Sequence, residues 1–112
     1  MNDFNILMEK IQLLEFHQQL LLELISNPNL EFYKLIVEKG ISKHEMERFY
    51  RLCHELNNKM EEQKAEGFVT FHPLFTELSA AMPAGLKTND VVRACLAQKI
   101  YEPLFKEFAR YL

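Results

Sequence analysis

Apolar residues recur along most of this chain at intervals of three and four, the spacing that gathers side chains on one face of an α-helix. The first run follows Asn2-Asp3, either of which offers a short polar acceptor as a cap, and stops where Asn27-Pro28 cannot continue a helix. It predicts a helix to about Ser26. Projected at about 3.6 residues per turn, Phe4, Leu7, Ile11, Leu14, Leu21 and Ile25 form one apolar stripe, and Ile6, Leu13, Leu20 and Leu24 form a second. Together the stripes span roughly 200° of the helix surface. One neighbouring helix cannot cover that arc.

A short second helix is predicted over about 29–39, capped by Asn27 or Asn29, with Leu30, Phe32, Tyr33, Leu35, Ile36 and Val37 as its apolar residues. Gly40 stands where a left-handed residue closes such a helix. Ser42 and Glu45 have the spacing of a capping box, and Ile41 is placed to pack on Met46 across the start of a third helix. That helix carries Met46, Phe49, Cys53, Leu56 and Met60 on one stripe and should run to Glu66. Gly67 to Phe71 is too short and isolated to found a sheet, so it reads as an extended connector that buries two phenylalanines and offers Thr70 as the next cap. A fourth helix, with Phe71, Leu74, Phe75, Leu78 and Met82, ends at Pro83-Ala84-Gly85. Thr88, Asn89 and Asp90 open a fifth, which turns Val91, Val92, Cys95 and Leu96 inward, and Pro103 starts a last one with Leu104, Phe105, Phe108 and Leu112. The fold class is therefore all-α, a bundle of about five or six helices in which the first and third are long.

Composition narrows the picture. The 112 residues suit one helical domain, divided here into an oligomerisation helix over 1–27 and a helical body over 28–112. Nine phenylalanines, no tryptophan and only three glycines favour packed helices over a turn-rich sheet. The formal net charge is −3, with both signs interspersed and no basic stripe to neutralise phosphates, so nucleic acid is not an expected partner. Cys53 and Cys95 each sit among apolar residues at helical spacing, which suits buried thiols in a reducing compartment. With no basic n-region in the first nine residues and no run long enough to span a bilayer, the expected location is cytoplasmic and no membrane is expected as a partner.

The candidate chemistry is thin. Gly40 to Phe49 resembles the turn of a DNA-binding helix-turn-helix, which makes a DNA-binding regulator the alternative reading. Against it, Ile36 is bulky where the motif needs a small residue, and Glu45 and Glu47 stand beside Lys43 and Arg48. His54-Glu55-Leu56-Asn57-Asn58 begins like a zinc-protease sequence, but Asn58 replaces the second histidine ligand. Adjacent Cys53 and His54 diverge by about 100° around a helix, so they cannot chelate together. No catalytic residue, cofactor or metal is expected, and the expectation is that the protein is not an enzyme.

Self-association is the positive expectation. Gln18 falls at an a-type heptad position in the first stripe, where one polar residue can fix register and subunit number in a coiled coil; the alternative is a glutamine at the edge of an intramolecular bundle. A stripe of that breadth left bare on a monomer would be an aggregation hazard. Leu7, Ile11, Leu14, Gln18, Leu21 and Ile25 are thus the candidate interface of a homodimer or homotrimer, with a further, unidentified protein partner possible in a regulatory or adaptor role.

Several strings carry a family resemblance: Phe32-Tyr33-Lys34-Leu35-Ile36, Lys39-Gly40-Ile41-Ser42-Lys43, Arg51-Leu52-Cys53-His54-Glu55-Leu56 and Gln63-Lys64-Ala65-Glu66-Gly67-Phe68-Val69-Thr70-Phe71. Over about Leu30 to Leu112 the chain resembles the domain-of-unknown-function family typified by the Bacillus protein YhaI, while the first helix matches only in character. The resemblance implies an all-helical, self-associating, cytoplasmic bacterial protein, and it supplies no catalytic residues. Lys99 departs from the pattern, standing where a glycine is expected between the last two helices, and Pro103 alters the start of the final one.

Overall fold

The computed structural model describes residues 2–112, and among these every regular element is helical. The order is α1 (Asp3–Ser26), α2 (Glu31–Glu38), α3 (Lys43–Ala65), α4 (His72–Ala80), α5 (Thr88–Gln98) and α6 (Glu102–Phe108), with a closing turn of 3-10 helix over Ala109–Tyr111. The expected fold class holds, including the long first and third helices. Helix α2 lies between α1 and α5, α6 packs on α5 and α3, and α4 covers α3.

The core is apolar throughout and rich in rings. Phe32 of α2 stacks on Phe49 of α3 (5.3 Å between centroids), Phe49 on Phe105 of α6 (6.4 Å), and Phe105 meets Phe108 edge-on (5.9 Å). Phe108 then meets Phe75 of α4 edge-on at 5.7 Å. This chain of rings ties four helices together, each pair contributing about 0.5–1.5 kcal/mol beyond the area it buries. The α3 stripe read from the sequence (Met46, Phe49, Cys53, Leu56, Met60) is buried along its whole length.

Three helix ends share one device. At the end of α2 the Ile41 amide donates to the Ile36 carbonyl (3.0 Å) and the Gly40 amide to that of Val37 (3.2 Å), with Gly40 at φ +66°. The Phe68 and Gly67 amides repeat the pattern on Gln63 and Lys64, and the Ile100 and Lys99 amides on Cys95 and Leu96. Each is a Schellman motif, which needs a left-handed residue in its corner. Lys99, at φ 62°, fills the corner that the other two motifs give to glycine, so its Cβ is held against the following carbonyl. At the start of α3, Ser42 Oγ accepts from the Glu45 amide (3.1 Å) and Glu45 Oε1 from the Ser42 amide (3.2 Å), the capping box expected from the sequence.

Other caps differ from expectation. Neither Asn27 nor Asn29 caps α2; its cap position is Leu30, and the amides of Phe32 and Tyr33 donate instead to Gln98 Oε1 of α5, at 2.9 and 3.1 Å. A residue 66 positions away in sequence thus does what a local cap would do. Thr70 does not cap α4, which starts at His72 after Phe71; the Phe71 amide donates to the Tyr111 hydroxyl at 2.7 Å. Phe68 is not buried either: it is 52% exposed, because α3 overshoots the core after Met60 and its closing turn carries Phe68 out into solvent, leaving Phe71 as the buried ring.

Two substitutions test this account of the helix ends. Lys99→Gly should stabilise the fold by about 0.5–1 kcal/mol and raise the thermal midpoint by a few degrees. Gln98→Ala, which strands two amides, should cost about 1–2 kcal/mol in urea unfolding.

Candidate functional site

Helix α1 is the element the body leaves least covered. It is capped by Asn2, whose side chain accepts from the Phe4 amide at 2.8 Å, and its 24 residues span about 36 Å at about 1.5 Å per residue. Phe16 and Leu20 are its buried residues, with Ile6, Leu13, His17 and Leu24 half-buried on the same side, so this face rests on the body. His17 Nε2 donates to the Ile41 carbonyl at 2.8 Å and pins the middle of α1 to the turn between α2 and α3. Nearer its N-terminus α1 stands off from the body, leaving an open groove of about 720 Å³ with Gln12 and Phe16 on one wall and Lys43 and Glu47 on the other.

The second face of α1 is left largely open, although Leu21 on it walls a shallow groove with Lys34 and Val37 of α2. Leu7, Ile11, Leu14, Gln18, Leu21 and Ile25 all lie on it and all are exposed, from 39% for Ile11 to 79% for Ile25. Phe4 extends this stripe, and Met8 and Leu22, exposed on its edge, widen it. The candidate interface residues are therefore brought together in one continuous strip. The body face was less completely legible: Phe16 belongs to neither sequence-derived stripe, yet it sits one turn from Leu20, and that i to i+4 spacing is the signal that identifies it.

The remaining candidates are scattered or buried. Around the turn at Gly40, Ile36, Met46 and Phe49 point into the core, while exposed Lys43 and Arg48 share the start of α3 with exposed Glu47. Asn58 Nδ2 lies 3.4 Å from His54 Nε2, so the residue that replaces a zinc ligand is an amide neighbour of the histidine. Among the described residues no three His, Cys, Asp or Glu side chains cluster closely enough to hold a metal ion. Nor, among the described residues, is any helix long and apolar enough to cross a membrane.

Both thiols lie within the core as free cysteines. Burial pushes the Cys53 thiol up to about 12 and raises Cys95 as well, with neighbouring Cys53 as a smaller cause. Each is therefore a protonated, hydrophobe-like group at neutral pH rather than a nucleophile. A thiol-reactive dye at pH 8 should label neither cysteine in the folded protein and both in denaturant; rapid labelling of either in buffer would contradict their burial. Since the folded thiols hold their protons and unfolded ones release them, this contribution to stability is complete below the ordinary thiol value of 9.0 and is lost as pH rises towards 12.

The sequence pattern behind this architecture is a shared one, and it includes the exposed helix as well as the body. The model of the family described as protein of unknown function (DUF1878) matches residues 4–112, from the first apolar residue of α1 to the end of the chain, and the chain belongs to that family.

Proposed function

We propose that the protein acts through contacts with other proteins, the first of which is a second copy of itself joined along the exposed face of α1, in a regulatory or adaptor capacity. One observation carries the reading: a continuous strip from Phe4 to Ile25, apolar but for Gln18, that stays exposed along its whole length. Monomeric soluble proteins rarely expose a contiguous apolar patch of more than about 300–600 Å², and larger ones mark sites of association. The strip is also separable from the fold, since the body has its own ring-rich core and grips α1 by the opposite side. Protein is favoured over DNA as the partner because Glu47 stands exposed beside Lys43 and Arg48, where it would repel phosphate. The reading gives no residue a catalytic role. Buried, unpaired Cys53 and Cys95 fit a reducing compartment such as the cytoplasm.

The test is a mass measurement by light scattering on the wild type and on Leu14→Glu. Leu14 is 67% exposed within one copy, so the change should cost the fold under about 0.5 kcal/mol. The wild type should be an oligomer at micromolar concentration, and Leu14→Glu a folded monomer with unchanged helical circular dichroism. A monomeric wild type, or a variant of unaltered mass, refutes the reading.

A further inference from the structure

We infer that two copies join in parallel and in register, as a two-stranded coiled coil along α1; this rests on the self-association proposed above and adds its direction, register and subunit number. With Phe4 as an a position, the exposed strip follows a heptad for three repeats. Phe4, Ile11, Gln18 and Ile25 occupy a, and Leu7, Leu14 and Leu21 occupy d. Isoleucine at a with leucine at d is the combination that packs best in parallel pairs rather than in trimers or tetramers.

Gln18 decides the direction. In a parallel, in-register pair it meets Gln18 of the second copy, and two carboxamides can each give and accept a hydrogen bond. In an antiparallel pair every a residue packs against a d residue, and every d residue here is a leucine. Gln18 would then be buried with no polar partner, a cost that no antiparallel register escapes.

Charge points the same way. Lys10 at g and Glu15 at e lie on opposite flanks of the strip, both exposed, and among the described residues neither joins an ion pair within the chain. Parallel helices bring a g residue against the e residue five places on in the partner, so Lys10 of each copy faces Glu15 of the other, twice by symmetry. Antiparallel helices set g against g and e against e, and no Lys10–Glu15 contact forms. The body holds α1 by Phe16 and Leu20, about 150–170° around the helix from the centre of the strip, so the seam falls on the side away from the docked face.

Disulfide trapping distinguishes the arrangements. Leu7 and Leu21 are exposed and 14 residues apart, about 21 Å along the helix, while buried Cys53 and Cys95 give a silent background that the wild type calibrates. Under mild oxidation Leu7→Cys and Leu21→Cys should each link to itself, and a mixture of the two should yield no link between position 7 and position 21. Mixed links without self-links overturn the parallel direction while leaving self-association intact. A dimer by mass that forms no link at all overturns the seam, and a trimer overturns the two-stranded arrangement. A monomeric wild type removes the underlying proposal and this one with it. In parallel, Lys10→Glu or Glu15→Lys alone should weaken the dimer roughly three- to tenfold, and the two together should restore it to within about twofold. A double variant as weak as the singles overturns the Lys10–Glu15 pairing.

Discussion

A helix with two apolar faces must be satisfied twice, and this chain satisfies α1 once. The side bearing Phe16 and Leu20 is met by the body, and the side bearing Leu7, Leu14 and Ile25 is left to water. The rest of the molecule is arranged around that imbalance. Docking requires only one face of the helix, so the body needs a core that is complete without the other. Its rings, from Phe32 through Phe49, Phe105 and Phe108 to Phe75, supply one across four helices.

Polar bonds make that core specific. Gln98 reaches from α5 to the first amides of α2, His17 from α1 to the α2–α3 turn, and Tyr111 from the last turn to the start of α4. Each joins elements distant in sequence and meets a backbone group that has no helical partner. Among the described residues no buried side-chain nitrogen or oxygen is left without a hydrogen bond. Apolar packing sets which helices meet; these three bonds fix where along their lengths they do so.

The sequence revealed whatever depends on neighbours three or four residues away. The α3 stripe, the Ser42–Glu45 box, the Gly40 closure and the exposed strip of α1 all have local causes, and each could be read from spacing alone. What escaped depended on distant partners or on where an element outruns the core. Nothing near α2 indicates Gln98 as its cap, so Asn27 and Asn29 looked like the better candidates. Phe68 is as apolar as Phe71, and only the overshoot of α3 past Met60 separates the exposed ring from the buried one. Lys99 lies between: a glycine was expected there, and the left-handed backbone at φ 62° is the reason. The exposed strip was legible as a stripe, but how the body grips the other side was not, because that depends on Phe16, which lies in neither stripe, and on the His17 bond to Ile41.

The outward reach of α1 also governs the molecule's shape. One copy measures 53 × 36 × 20 Å, with a radius of gyration of 15.8 Å where a compact domain of this size would have about 13 Å. An elongated particle meets more friction than a sphere of equal mass, so a single copy would leave a sizing column early, where a rounder protein of greater mass is expected. Elution volume would therefore report the length of this protein before it reported how many copies are present.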